Sequence, residues 1–340
     1  MRRRLSAILL AIVLVTAGCL AATSEVTLDP LADSDGDGLL DDWEEENGLD
    51  PLNGSDAIEC MGNVTYCMRT YDDFTFAETH NSFATEEDGI HYPASNHDTG
   101  LAAQWEGGIR SFMLDVHHRS SFQTGSDDLA FCHGDSNGII HPCSYGEVDA
   151  FDWLDDLRML MDDNPLEIVT LLLENYVPSD HLEHLFTETS LLNRTWIHST
   201  DDVWPTLGEM VLAERTLVIF TDSGDGPEWP WLHHAWTHSW DTPYGESNQD
   251  EMSCEVGRGD GDQPVWHLNN WLSNAAGLSD PQRAEQVNDH ETLLQRALDC
   301  WTEVDDRPTF IAVDWWEDGD VVGVVEALNG MTSAEPSNPT

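Results

Sequence analysis

The sequence predicts an α/β fold, a TIM-type (β/α) barrel with a short segment ahead of it. Two patterns carry that expectation. Short β-leaning runs at 74–78 (FTFAE), 108–116 (GIRSFMLDV), 129–132 (LAFC), 167–174 (EIVTLLLE), 216–220 (TLVIF) and 309–315 (TFIAVDW) are almost continuously apolar. Strands of a parallel sheet buried on both faces read this way. Between them, apolar residues return at helical spacing: Phe151, Leu154, Leu157, Leu160 and Met161 before Pro165, then Pro281 to Trp301, then Asp320 to Leu328 ahead of Gly330. Alternation across residues 70–330 fits a barrel first and a doubly wound open sheet second.

At the N-terminus, MRRRLSAILLAIVLVTAGC sets three arginines before an apolar run from Leu5 to Val15 and then small residues. This is the layout of an export signal. It is similar to a lipoprotein signal in which 1–18 is removed and Cys19 carries lipid, with Thr16 where such signals usually have Leu. The remainder is then expected outside the cytoplasm, secreted or held to a membrane through the lipid.

The 340 residues hold 65 acidic against 13 basic side chains, every basic one an Arg, for a formal charge of −52. Such a field repels phosphate backbones and excludes a nucleic-acid partner. It suits a salty medium, a demand for divalent cations, or both. Hydrophobic residues at 40% suffice for a large core. Beyond Cys19, the cysteines are Cys60, Cys67, Cys132, Cys143, Cys254 and Cys300, an even set that predicts disulfides in an exported chain. Sequence alone allows many connectivities; closeness favours Cys60 with Cys67 and Cys132 with Cys143, leaving Cys254 with Cys300.

After a linker at 19–32 comes DSDGDGLLDDWE, residues 33–44. Asp33, Asp35, Asp37, the backbone of Leu39, Asp41 and Glu44 fall at the ligand positions of an EF-hand-type calcium loop, with Gly38 at its sharp turn. Alternate carboxylates in a tight loop converge on one hard cation, and Glu44 closes the shell. Pro30 sits where an incoming helix would be, which argues against a paired sensor. With the continuation EENGLDPLNG, the 33–54 segment resembles the single calcium loops of thrombospondin type 3 repeats, expected to stiffen a spacer between anchor and body. A tail follows the barrel at 331–340.

Barrel enzymes carry their chemistry at the C-terminal ends of the strands. Here those ends read His80 and Asn81, then Asp115, His117 and His118, then His133 and Gly134, then Glu174 and Asn175, and last Asp314. Taken singly each has a structural explanation, and Arg110 is an available partner for Asp115 or Glu174. Taken together they point to a site.

The ordered motifs FAETHNSFA, GIRSFMLDVH, FCHG, EIVTLLLENYV, LVIFTDSG and FIAVDWWEDGDVVGVVEALNG resemble the X-type barrel of phosphatidylinositol-specific phospholipases C, nearest to the extracellular PLC-like phosphodiesterases. The resemblance implies that His80 and His133 are the catalytic histidines and that Asn81, Asp115 and Glu174 are calcium ligands. A fourth ligand position, a Glu in the metal-dependent branch, is Met113, a poor donor to a hard cation. Where the metal-independent branch has a phosphate-binding Arg, this chain has His117, so the resemblance leans towards calcium.

Cleaving an anionic phosphodiester takes a cation at phosphorus, a base for the attacking hydroxyl and an acid for the leaving alkoxide. On this reading Asn81 offers a carbonyl to calcium, His80 contacts phosphate or the attacking hydroxyl, His133 protonates the leaving group, and Asp314 orients a histidine. His117 and Asp222 are the expected substrate contacts. With Phe220 and Asp222 where polyphosphoinositide enzymes use lysines, an unphosphorylated inositol lipid or another phosphodiester fits better. Trp229, Trp231, Trp236 and Trp240 are either a substrate rim or packed loop aromatics. Two other functions stay open: a catalytically inactive, lipid-anchored, calcium-dependent binding module, and a glycerophosphodiester phosphodiesterase.

Overall fold

A computed structural model describes residues 31–122, 124–134 and 140–331. The export signal, Cys19, most of the 19–32 linker and nearly all of the tail lie outside the described residues.

The strands are β1 (Phe76–Thr79), β2 (Ser111–His118), β3 (Leu129–Phe131), β4 (Val148–Asp149), β5 (Val169–Asn175), β6 (Leu217–Thr221), β7 (His233–His234), β8 (Ser239–Asp241), β9 (Arg258–Gly259), β10 (Val265–Asn270) and β11 (Phe310–Val313). Parallel neighbours run in the order β7-β6-β5-β2-β1-β11-β10-β8, curling the sheet into a barrel. Among the described residues no ladder joins β7 to β8, so the ring is open there.

Alternation along each stave explains why the sequence runs look apolar throughout. Phe76, Met113, Leu172, Val218, Phe220, Val265 and Phe310 fill the barrel interior. Their neighbours Ala77, Phe112, Leu171, Ile219, Trp266 and Ile311 belong to a second cluster, shared with the surrounding helices. The helices are α1 (Asp41–Asn47), α2 (Leu101–Gly107), α3 (Ala150–Asp163), α4 (Ser179–Glu188), α5 (Leu207–Leu212), α6 (Ala235–His238), α7 (Pro281–Asn288), α8 (His290–Val304) and α9 (Val321–Asn329); α2, α3, α4, α8 and α9 share the outer cluster, whereas α1, α5 and α6 pack on the inner one. Of these, α6 is a single turn between β7 and β8.

Three expectations change. The run at 129–132 is not a stave: β3 pairs antiparallel with β2 and β4, an arm folded over the barrel mouth. The helix expected from Pro281 to Trp301 is two, because Asp289, at ψ 136°, leaves the helical path and caps α8 through Thr292 N–H. The 33–54 segment is not a spacer. Leu39 is fully buried against the barrel floor with Tyr71, Trp204 and Met210, and Trp43 Nε1 donates to Thr206 Oγ1 at 3.4 Å.

Disulfides join Cys60 to Cys67, Cys132 to Cys143 and Cys254 to Cys300, the pairing that closeness in sequence favoured. At the floor, Asn329 clasps β1 to the last helix through Thr75 N–H (2.9 Å) and Thr75 O (2.8 Å).

Beside this clasp Asp306 is crowded. Burial, then Asp72, Asp73 and Asp305, push its carboxyl up to about 7. A carboxyl raised in the folded state is less stable ionised there than in the unfolded chain, so folding loses stability as pH climbs from about 4 through about 7. Asp306→Asn keeps the acceptor for Arg307 N–H (2.8 Å) and removes the charge. Its urea midpoint is expected to exceed the parent's at pH 8 and to match it near pH 4; equal midpoints at both would contradict the assignment.

Candidate active site

Phe76, Glu78 and His80 share the inward face of β1. His80 N–H extends the ladder to Val313 O at 3.0 Å. The next residue, Asn81, takes φ 50°, a left-handed conformation that Asn tolerates better than most non-glycine residues. That reversal lets two consecutive side chains, His80 and Asn81, both line one cleft at the C-terminal ends of the staves. Met113, Asp115, Glu174, Asp222, Trp236, Tyr244, Arg258 and Trp271 complete most of its wall.

His80 is held on three sides. Its Nδ1 meets Asp314 Oδ1 at 2.9 Å, its ring stacks on Trp271 at 4.2 Å, and its carbonyl meets His97 Nε2 at 2.8 Å. Asp314, 2% exposed, also accepts from Asn96 Nδ2 (2.8 Å) and Ser279 Oγ (2.6 Å). With Nδ1–H given to Asp314, Nε2 is left as the working nitrogen. Burial resists charging the imidazole, but Asp314 outweighs it and raises the His80 pKa. Burial likewise pushes Asp314 up, and His80 outweighs it and lowers the carboxyl.

Opposite lies a surplus of negative charge. Asp115 on β2 and Glu174 on β5 are register partners. Burial first and Glu174 second drive the Asp115 carboxyl well above its ordinary value, against donation from Gly134 N–H at 3.1 Å and the pull of His80. Burial also raises Asp222, whose Oδ1 accepts from Asn175 N–H at 2.9 Å. Tyr176 O–H donates to Glu174. Arg110 is not a partner of these groups; it pairs with Glu167 at 3.1 Å. Asn81 Nδ2 lies 3.2 Å from His80 Nε2 and 3.4 Å from Asn96 Oδ1, so its nitrogen end is engaged and its oxygen end is the donor left for a cation.

Two expected residues stand apart. His133 does not line the cleft; it follows β3, with Nδ1 on Ala94 O at 2.9 Å, and burial lowers its pKa. Its neighbours straddle Asp115, Cys132 N–H reaching Asp115 O (3.1 Å) and Gly134 N–H its carboxylate, so it sits at the cleft's edge. His117, expected to touch substrate, is only 2% exposed and stacked on Tyr176 at 4.2 Å, behind the wall.

Sequence reasoning missed Arg258, Tyr244 and Trp271. Arg258 rests on Trp236 (4.1 Å) and Tyr244 (4.6 Å) while Nε and Nη2 donate to Asp241 Oδ2 at 3.0 and 2.6 Å. No local motif announces it. The nearest signal is Gly259, where a Cβ would stand 2.4 Å from Ser239 O, so only glycine lets the β8–β9 hairpin close and swing Arg258 inward. Of the four tryptophans weighed as a rim, Trp231 and Trp240 are buried, Trp229 packs on the core and Trp236 lines the cleft.

The family model described as PI-PLC X 1 matches residues 66–329. A PI-PLC X domain-containing protein of Arthroderma benhamiae is 23% identical over 288 residues, covering 80% of this chain and 90% of that protein. An uncharacterized secreted protein of the same fungus is 23% identical over 305 residues, this chain spanning 64% of its length. A PI-PLC X domain-containing protein of Arabidopsis thaliana is 23% identical over 279 residues, with 62% of its length spanned. Among solved structures, a phosphatidylinositol-specific phospholipase C from Staphylococcus aureus superposes with a TM-score of 0.53 at 12% identity, covering 77% of this chain and 94% of that one. That structure carries an incorporated pentafluoro-Phe, and a second substituted form of the same enzyme gives 0.51 at 12% identity, covering 82% and 97%.

Proposed function

The chain belongs to the PI-PLC X family, and from that premise we propose that it is an extracytoplasmic, calcium-assisted phosphoric diester hydrolase acting on a phospholipid. The observation that carries this reading is the Asp314–His80 couple facing Asn81, Asp115 and Glu174 across one cleft. Carboxylate and carboxamide oxygens are the donors a hard cation takes, and burial together with repulsion from Glu174, which raise Asp115, supports a cation among them. When bound there, calcium supplies positive charge beside the phosphoryl oxygens. Arg258 is a poorer source of that charge because Asp241 already neutralises it.

His80 Nε2, with its tautomer fixed by Asp314, exchanges the proton of the attacking hydroxyl. His133 exchanges the proton of the leaving oxygen from the cleft's edge. Tyr244, 48% exposed, and the half-buried Trp236 offer aromatic surface to a cyclitol or sugar ring, and Asp222 disfavours a headgroup with further phosphates. Export from the cytoplasm agrees with the disulfides and with the secreted fungal relative; lipid attachment at Cys19 would hold the protein to its substrate membrane. Met113, which faces the cleft where a Glu ligand is expected, favours the second reading, an inactive calcium-dependent binding module.

The test is release of headgroup phosphate from phosphatidylinositol vesicles. Chelation, or Glu174→Gln, is expected to lower turnover by about 100-fold or more, with calcium restoring only the parent. An intact fold that turns over no phosphodiester in calcium would reject the hydrolase and favour the binding module.

A further inference from the structure

Away from the cleft, carboxylates meet where the chain passes twice over the barrel floor. Oxygens of Asp33, Asp35 and Asp37 lie within 4.8 Å of one another, as do those of Asp37, Glu44 and Asp56. Glu44 is fully buried, and neither of its carboxylate oxygens has a hydrogen-bond partner. Asp35 Oδ2, Asp37 Oδ2 and Asp56 Oδ1 are also buried without one. A buried ionised carboxylate lacking a partner is costly, and several facing one another more so. Every donor is a hard oxygen, the set that calcium takes.

Two details depart from the loop spacing. Asp41, expected as a ligand, spends both oxygens on Ser34, accepting from its N–H at 2.8 Å and its Oγ–H at 2.6 Å. Asp56, which lies beyond the loop and outside any motif, takes part instead. Between them runs α1, whose Trp43 ring packs so tightly on α5 that a Cβ on Gly208 would stand 2.4 Å from it.

We propose that Asp35, Asp37, Glu44 and Asp56, with Asp33 at the rim, bind one divalent cation of the calcium class, and that Asp56 makes this ion a clip. It ties the chain before α1 to the chain after it, and so holds Leu39 and Trp43 against the floor of the barrel. The ion governs the stability of the whole barrel from the face opposite the chemistry. Nothing in this depends on the hydrolase reading.

Thermal unfolding of the full chain in calcium, magnesium and EGTA tests it. Calcium is expected to raise the parent Tm by about 5 °C or more over EGTA. Glu44→Gln and Asp56→Asn should lose that response, and Glu44→Gln in EGTA should melt at or above the parent, because an uncompensated buried charge is gone. A variant carrying Asp115→Asn and Glu174→Gln should keep the response, separating this site from the cleft. A parent Tm equal in calcium and EGTA would overturn the clip. So would a full calcium response in Asp56→Asn, which would reflect general screening of the −52 charge. If Glu44→Gln does not fold, the parent and Asp56→Asn still decide.

Discussion

Replacing His80 with Ala is expected to lower kcat/KM for phosphodiester cleavage by about 100- to 10,000-fold, the range of a lost proton-transfer group. Thermal stability should fall as well, because Ala removes the stack on Trp271 and one partner of the buried Asp314, so kcat/KM is compared well below the variant's own Tm. The companion Asp314→Asn keeps a side chain of the same shape but withdraws the charge that overcomes burial at His80. The His80 pKa then falls, and the limb of the pH–rate profile that it governs moves to lower pH. A structural carboxylate would move no limb. His80→Ala with parental kcat/KM would falsify the assignment of this residue to the chemistry.

The second large effect is on folding. Inside the barrel, two residues before His80, Glu78 is fully buried. Its Oε1 accepts from Ser111 Oγ at 2.7 Å, and its Oε2 meets His267 Nδ1 at 2.7 Å. His267 is buried as well and stacks on Phe310 at 4.4 Å. Breaking one side of such a couple strands the other in a low-dielectric interior. His267→Leu is expected to cost about 3–5 kcal/mol in urea unfolding. Combining it with Glu78→Leu should recover much of that loss, since apolar replacement of both members is often neutral. A double variant whose loss equals the sum of the single losses would show the pair to be uncoupled.

The same couple explains what the sequence hides. Staves β1, β2, β5, β6 and β11 are legible because both of their faces are apolar over most of their length. Stave β10 is not: Val265, His267 and Asn269 alternate inward, and His267 and Asn269 are matched by Glu78 and by Asp241 (3.1 Å). Satisfied polar residues inside a barrel look, in one dimension, like a loop. The short staves β7 and β8 are hidden in the Trp-rich segment because two or three residues carry no period. The β3 arm looks like a stave, since apolar runs do not announce their direction.

At the site, strand-end reasoning reaches His80, Asn81, Asp115, Glu174 and Asp314, and the family resemblance adds Asp222; all are in or against one cleft. It cannot reach Arg258 or Asp56, whose places depend on how distant turns fold back. His117 misleads for the same reason: its stave is right, and only packing with Tyr176 shows that it is covered.

The left-handed turn at Asn81 narrows what natural variation can do there. A cation would accept oxygen from Gln or Glu as readily as from Asn, but the left-handed region costs those side chains more, a cost the fold accepts at Glu214 (φ 54°). Glycine suits it but brings no donor. The choice at this position is weighted toward Asn and Asp, so steric geometry biases the residue before coordination chemistry selects it.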